Sequence, residues 1–264
     1  MIPNTSQQTI KDLAEYLSKD YNSFPVPLDL IIKEEQIPVF YDYYDSDSFD
    51  GMTTFEDGQY FIHINKDRRN LENNERGRFT LSHELGHYYI DAHREGLRQG
   101  VLEPHPSKMS KQQYDQIERQ ADYFASCLLM PEYDFKKQIE KKKFSFEIIK
   151  TLSERYNISK SACAIRFAEI GNHPIMIVYS EKGYIKWKKS SNDFPHQFLL
   201  YTNKVPEDTV MGEYFITNKF DNINITEQVW AGDWFNVKKD QQNDKFYEHC
   251  ISYKNTALSI IWEI

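Results

Sequence analysis

Two histidines and a glutamate in the stretch FTLSHELGHYYIDAH have the spacing of a metal site that hydrolyses peptide bonds. His83 and His87 are four residues apart, so a helix would present both imidazoles on one face. That spacing suits one Zn²⁺ at about 2.0–2.1 Å from each nitrogen. Glu84 has the place of the general base, which takes a proton from the attacking water. Zinc lowers the pKa of that water toward about 7, so the stretch predicts zinc-dependent hydrolysis.

The motif does not identify the third protein ligand, and the sequence offers two candidates. His93 has the place of the third histidine in the H-E-x-x-H-x-x-G-x-x-H pattern. That pattern needs a glycine where this chain has Ile90, and a β-branched residue disfavours the required turn. Glu118 is the other candidate, on a later predicted helix, and Asp122 follows it by one turn. We favour Glu118 as the ligand and Asp122 as an acceptor for the far nitrogen of a ligand histidine.

The elements that must position these residues follow from the period of the apolar positions. Apolar alternation, helical spacing and turn residues predict, in chain order, a strand over 37–44, a hairpin or turn region over 45–58, a strand over 59–65, a helix over 70–93, a loop over 94–110 and a helix over 112–130. Gly86 has no side chain, so we expect a neighbouring element to pack closely behind the site.

The whole chain divides into three predicted segments. Residues 1–142 hold the elements just described. Residues 143–171 are predicted as two helices joined by a short turn, an arrangement that resembles a helix-turn-helix. Residues 172–264 contain short β-type runs between polar turns, among them 213–217 and 229–237. We therefore predict an α+β protein with a β-rich C-terminal domain.

Composition limits the class of partner and the compartment. The net charge is −8 and the pI about 5.5, whereas broad affinity for nucleic acid needs a basic face. The three cysteines are widely spaced and suggest neither a disulfide framework nor a cysteine metal site. We find no signal peptide and no apolar run of about 20 residues. The prediction is a cytoplasmic protein without membrane association, for which direct nucleic-acid binding is not expected.

Two motifs, RFTLSHELGHYYIDAH and ERQADYFASCLLMP in this order, resemble those of the ImmA/IrrE family of bacterial metallo-endopeptidases. Weaker support comes from PVPLDLIIKEEQIPVFY, from Gly51, from YFIHIN and from LSERYNISKSACAIRFAEIG. Together these stretches cover about residues 10–171. The resemblance implies a zincin-like metallopeptidase domain over residues 1–142.

The resemblance also implies roles for named residues. His83, His87 and Glu118 would be the zinc ligands, Glu84 the general base, and Asp122 the acid that supports a ligand histidine. It implies a regulatory protease in transcription regulation or a stress response. Its protein substrate would be a helix-turn-helix repressor or an antitoxin-like protein.

Two other classes of function stay open from the sequence. In the first, the zincin domain is a non-catalytic scaffold, and the C-terminal domain binds a protein partner or a small signal. The presence of Glu84 counts against this, since a structural zinc site needs no base. In the second, residues 144–171 bind DNA. The second helix there offers only Lys160 and Arg166 as basic residues, which counts against DNA binding.

Overall fold

The computed structural model describes residues 5–102, 114–201, 203–217 and 223–264. The chain divides into two compact units, the first made of Met1–Phe135 with Leu152–Ser159 and the second of Lys136–Thr151 with Lys160–Ile264. The predicted helical segment 143–171 contributes to both units, and the division into three domains stays a prediction. No helix in the described part of the chain has the length and apolar character needed to cross a membrane.

The predicted α+β class is confirmed, with a helix-rich N-terminal part and a β-rich C-terminal part. Up to residue 156 the elements are α1 (Gln7–Tyr21), α2 (Leu28–Glu34), β1 (Val39–Asp42), β2 (Gly51–Glu56), β3 (Gln59–Asn65), α3 (Glu75–Tyr89), α4 (Asp91–Arg98), α5 (Tyr114–Leu129), α6 (Glu132–Ile139) and α7 (Phe146–Tyr156).

Helix α3 carries the metal motif, and local interactions set both of its ends. Asn74 caps the N-terminus, because its side-chain oxygen accepts a hydrogen bond from the Gly77 amide at 2.6 Å. At the C-terminus Ile90 leaves the helical region, with φ −74° and ψ 108°, and its side chain is buried. An extended backbone suits a β-branched residue, so the helix ends where this side chain enters the core.

The predicted helix over 70–93 and loop over 94–110 are therefore wrong in their limits. Helix α3 is shorter at both ends, and α4 occupies part of the predicted loop. The argument that Ile90 disfavours a break after the motif is also wrong, because the break occurs at Ile90 itself. Asp91 lies in the first turn of α4, where a carboxylate interacts favourably with the helix dipole. The predicted loop beyond residue 102 lies outside the described residues.

Three strands form the sheet of the first unit, in the order β1-β3-β2. Strand β1 is parallel to β3, and β2 is antiparallel to it. Gly51 lies opposite Ile64 and Thr53 opposite Ile62, so these residues share one face, and the sheet packs on α3 through β2 and β3. The strand over 59–65 is confirmed, and the one over 37–44 is confirmed in its central part, Val39–Asp42. The hairpin or turn region over 45–58 contains strand β2, which forms a hairpin with β3.

Helices α3 and α5 pack closely at Gly86, as expected from the missing side chain. A Cβ placed on Gly86 would lie 3.1 Å from the α-carbon of Ala121 and 3.2 Å from Cδ1 of Phe124. These separations are shorter than ordinary van der Waals contact between carbon atoms. The glycine therefore lets the two helices that carry the candidate ligands approach each other.

The second unit is built on an antiparallel five-stranded sheet in the order β5-β4-β8-β7-β6. Its elements from residue 160 are α8 (Lys160–Ile170), β4 (Ile175–Glu181), β5 (Tyr184–Ser190), α9 (Val210–Thr217), β6 (Asn224–Trp230), α10 (Ala231–Trp234), β7 (Lys245–Tyr253) and β8 (Thr256–Glu263). Buried side chains of β4, β7, β8, α9 and α10 form its core.

Two of the predicted β-type runs contain helix in this unit. Residues 213–217 belong to helix α9, and the run over 229–237 ends β6 and then forms α10. Apolar character alone did not separate strand from helix there. Thr209 favours the helix, because its hydroxyl accepts a hydrogen bond from the Gly212 amide at 2.9 Å.

A buried carboxylate joins several of these elements. Glu248 on β7 accepts hydrogen bonds at Oε2 from the Val210 amide at 3.0 Å and from Trp234 Nε1 at 2.8 Å. At Oε1 it accepts from the Met211 amide at 3.0 Å and from the hydroxyl of Ser259. The side chain therefore satisfies backbone N–H groups at the start of α9 that have no partner inside the helix.

Candidate metal centre

Helices α3 and α5 bring the three predicted zinc ligands together. His83 Nε2 lies 3.1 Å from His87 Nε2 and 3.0 Å from Glu118 Oε2. His87 Nε2 lies 3.3 Å from Glu118 Oε1. Among the described residues, this is the one cluster of histidine, cysteine and acidic side chains that could hold a metal ion.

The donor set and its spacing fit Zn²⁺. Two imidazole nitrogens and one carboxylate are a ligand set that catalytic zinc sites use, with a fourth position open for water or substrate. Ligand atoms at about 2.0–2.1 Å from a tetrahedral zinc ion lie about 3.3 Å from one another. The separations of 3.0 to 3.3 Å are close to that value, so the three side chains need little movement to bind the ion.

Asp122 is placed to orient His83. It follows Glu118 by one turn of α5, and its Oδ1 lies 2.9 Å from His83 Nδ1. An ionised carboxylate only accepts hydrogen bonds, so Nδ1 carries the proton and donates it. This bond fixes the ring with Nε2 toward the other candidate ligands. The geometry agrees with the role predicted for Asp122, which stays a prediction.

Hydrogen bonds among the candidate ligands and Asp122 shift the pKa values of His83 and Glu118. Burial alone would lower the pKa of His83, but the hydrogen bonds to Asp122 and Glu118 outweigh burial and raise that pKa well above its usual value. Burial would raise the pKa of Glu118, but the hydrogen bonds from His83 and His87 hold it below its usual range. Without a metal, a protonated His83 donates its Nδ1–H to Asp122 and its Nε2–H to Glu118.

Glu84 points toward the sheet and is buried beside the cluster. Its Oε2 accepts a hydrogen bond from the hydroxyl of Thr53 on β2 at 2.7 Å. Burial raises the pKa of Glu84, while the nearby histidines and this hydrogen bond lower it in part. A raised pKa suits a general base that must also release its proton near neutral pH.

His93 is not among the possible ligands that the structure brings together. It lies in the first turn of α4 and is fully buried. His93 Nε2 lies 2.8 Å from Gln120 Oε1, and Gln120 donates to the Thr5 carbonyl at 2.7 Å. Burial lowers the pKa of His93 to about 4. Its ring packs beside His87, with centroids 5.2 Å apart.

Two residues beside Glu84 were missed as site residues. Thr53 was not singled out in the sequence, and Gly51 was noted only for its place in a motif. Gly51 and Thr53 share a face only if their segment is a strand, and this strand, β2, was not recognised in the sequence. In the sequence, buried Thr53 and Thr54 are adjacent, so polar and apolar positions do not alternate.

Comparisons with known proteins agree with this geometry. A family model described as the IrrE N-terminal-like domain, Peptidase M78, matches residues 32–168. No curated protein matches the chain. A solved structure described as a Mycobacterium tuberculosis transcriptional regulator is similar with a TM-score of 0.60 and 13% sequence identity. The similarity covers 97% of this chain and 76% of that chain, and at this identity it shows the fold alone.

The resemblance to the ImmA/IrrE family is thus confirmed, and the first part of the chain is a metallopeptidase-like domain. The matched residues 32–168 include both motifs and every candidate site residue. Because the match spans just over half of the 264 residues, the chain belongs to the Peptidase M78 family of IrrE N-terminal-like domains.

Proposed function

We propose that this protein is a zinc-dependent endopeptidase that cleaves a cytoplasmic regulatory protein. The observation that carries the proposal is the convergence of the His83, His87 and Glu118 ligand atoms beside the buried carboxylate of Glu84. A purely structural zinc site is closed by protein ligands and has no use for an adjacent base.

The side chains divide the work of hydrolysis. His83, His87 and Glu118 would hold the ion, and Asp122 would keep the His83 ring in place. When bound, zinc polarises the substrate carbonyl and lowers the pKa of water. Glu84 accepts the proton of the attacking water and then delivers it to the leaving amine, which frees the carboxylate for the next cycle.

Strand β2 supports a peptide as the substrate. Within the described residues β2 pairs with β3 alone, so its other edge is open. The Asn65 amide donates to the Asp50 carbonyl, which places Asp50 in a hydrogen-bonded pair of the antiparallel ladder. Gly51, Thr53 and Phe55 therefore direct their backbone groups toward the open edge. An extended substrate segment can add a strand there, close to Glu84.

The proposed partner is a helix-turn-helix repressor or an antitoxin-like protein. The family resemblance supports this class, and the solved structure of similar fold is named as a transcriptional regulator. The proposed compartment is the cytoplasm, consistent with the buried cysteines at positions 127, 163 and 250, which form no disulfide.

A second candidate is a regulator that uses the metallopeptidase-like domain as a scaffold and binds a partner or a small signal through its C-terminal domain. The name of the structural neighbour favours this reading. Direct DNA binding through α8 has less support. Arg166 is only 1% exposed and faces Glu169 at 3.5 Å, so this basic side chain does not reach a DNA backbone.

The first test is the metal content of the purified protein. We expect one zinc ion per chain in the wild type, loss of zinc in Glu118→Ala, and retention in His93→Ala. Loss in His93→Ala with retention in Glu118→Ala would overturn the ligand assignment. Absence of zinc from all three proteins after incubation with the ion would favour the scaffold.

The second test asks for cleavage. Zinc-loaded wild type and Glu84→Gln are each incubated with helix-turn-helix repressors and antitoxin-like proteins, and products are read by mass spectrometry. Glu84→Gln keeps the size of the side chain and should lower the cleavage rate at least 100-fold. Equal cleavage by both proteins would contradict the role of Glu84.

A further inference from the structure

The start of β2 lies against the carboxyl group of Glu84, and two of its residues contact that group in different ways. The Thr53 hydroxyl donates a hydrogen bond to Oε2 at 2.7 Å. A Cβ placed on Gly51 would lie 2.6 Å from Oε1 and 2.8 Å from Cγ. The Glu84 carboxyl group therefore occupies the space that a side chain at position 51 would take.

The hydrogen bond from Thr53 is buried and directed at the charged group. Both side chains belong to residues that are only 4% exposed. A threonine hydroxyl has one hydrogen, and its two possible acceptors here are Oε2 and the Glu84 carbonyl oxygen, which is farther away at 3.2 Å. The shorter bond goes to the carboxylate, and hydrogen bonds to charged acceptors are the stronger class.

The two oxygens of Glu84 are consequently not equivalent. Oε2 is held by Thr53, whereas no residue in the described part of the chain donates a hydrogen bond to Oε1. Gly51 leaves room for Oε1 without contributing an atom that competes for it.

We infer that Thr53 is a positioning residue for the general base, and that Gly51 and Thr53 together hold Glu84 so that Oε1 receives the proton of the attacking water. The inference rests on the proposed function, because it assigns a task to the same carboxylate. The inference extends the proposed function, because it gives the side chains of the edge strand β2 a part in catalysis.

Thr54 provides a matched control inside the same strand. It is as buried as Thr53 but points to the opposite face of the sheet, and its hydroxyl lacks a partner among the described residues. Thr53→Val and Thr54→Val thus remove the same atom from neighbouring buried positions. Only the first removes a contact with Glu84.

The experiment measures zinc-dependent hydrolysis of 4-nitrophenyl acetate, a small activated ester that does not depend on the identity of the protein substrate. We expect Thr53→Val to lower kcat about 10-fold, and Thr53→Ser, which keeps the hydroxyl, to restore most of it. Gly51→Ala should lower kcat by a similar factor, since the added methyl group would overlap the Glu84 carboxyl group as well as Thr80 Cγ2, 2.8 Å away. Thr54→Val should keep the wild-type rate, and Glu84→Gln sets the lower limit.

Two further readouts separate positioning from a loss of structure. Zinc affinity, measured by competition with a chromophoric chelator, should stay within about 3-fold of wild type in every β2 variant, since none removes a ligand. The urea unfolding midpoints of Thr53→Val and Glu84→Gln should combine non-additively, because the two side chains are in contact. Those of Thr54→Val and Glu84→Gln should add.

Each outcome bears on one assignment. Wild-type kcat in Thr53→Val together with loss in Glu84→Gln would overturn the inference and leave the proposed function intact. Wild-type kcat in Glu84→Gln would remove the proposed base itself. An equal loss in Thr53→Val and Thr53→Ser would also overturn the inference, because the hydroxyl would then have no part in the effect.

Discussion

At the scale of single residues, the candidate metal centre without its ion is a set of hydrogen-bonded acids and imidazoles. Hydrogen bonds between the candidate ligands keep their donor atoms at the separations that a zinc ion would require. His83 is the residue most affected, because it contacts Glu118 with one nitrogen and Asp122 with the other. Binding of zinc must displace the proton that the raised pKa of His83 retains.

This predicts a pH dependence of zinc binding. Below the raised pKa of His83 the metal-free site holds a proton that zinc must displace, so zinc affinity should rise as pH is raised toward that pKa and level off above it. The measurement is chelator competition at pH 6, 7 and 8, with calorimetry in two buffers to count released protons. A flat profile would mean that His83 is already neutral in the metal-free protein.

Asp122 gives a second prediction at this scale. Asp122→Ala removes the acceptor for His83 Nδ1 while leaving all three candidate ligands in place. Loss of such a supporting hydrogen bond typically costs about 10–100-fold in metal affinity. Chelator competition at one fixed pH measures it. Asp20→Ala, an exposed acid on α1, controls for the change in net charge.

Asp50 gives a third prediction, for stability against pH. Although burial opposes it, hydrogen bonds from Arg68, Arg76 and Asn70 lower the pKa of Asp50 to about 2. A depressed pKa means that the ionised form stabilises the fold, fully above about pH 4 and progressively less as pH falls toward 2. Asp50→Asn should therefore cost about 1–2 kcal/mol at pH 7, after allowance for partial exposure. In urea titrations the difference from wild type should shrink between pH 4 and pH 3.

At the scale of elements, the site depends on how closely α3 and α5 approach each other. Gly86 faces Ala121 across that contact, and the ligands lie on both helices. Gly86→Ala should lower zinc affinity slightly and Gly86→Leu strongly, with about 1–3 kcal/mol of lost stability for the larger residue. Equal zinc affinity in Gly86→Leu and wild type would show that the ligands tolerate a wider separation.

The same scale shows what the sequence could predict. Helical spacing groups His83 with His87 on α3 and Glu118 with Asp122 on α5. That the two pairs belong to one site was implied by the family resemblance and not by spacing. The end of α3 at Ile90 could not be predicted, because it depends on where that side chain is buried. Strand β2 was missed because the adjacent buried threonines interrupt the alternation of polar and apolar residues. Its pairing with β3 is local, and the Asp57-Gly58 turn that joins the two strands is a hairpin signal present in the sequence.

At the scale of the whole molecule, Glu248 is a buried carboxylate that stabilises the second unit. Its four hydrogen bonds join β7 to β8, α9 and α10. In Glu248→Gln an amide nitrogen must face two of these donors, at a cost of about 1–3 kcal/mol. Hydrogen exchange should show faster opening of β7 and β8, with unchanged zinc affinity. Glu227→Gln, at the exposed position opposite on β6, serves as the control.

The overall class could be predicted because strands and helices differ in period, and the apolar runs of β4, β7 and β8 were long enough to show it. Helix α9 was not recognised, since a short apolar run is equally typical of a strand. Its helical form depends on Thr209 and on Glu248, which lies far away in the sequence. A contact of that kind is set by the tertiary fold and leaves no local pattern.

The origin of the candidate ligands on two helices has a consequence for the lifetime of the protein. His87 and Glu118 are about thirty residues apart, so an ion held by both would close a loop as a removable crosslink does. Zinc would then supply folding free energy as well as chemistry. The supply of zinc in the cell would decide both how fast this protein acts and how long each copy survives proteolysis.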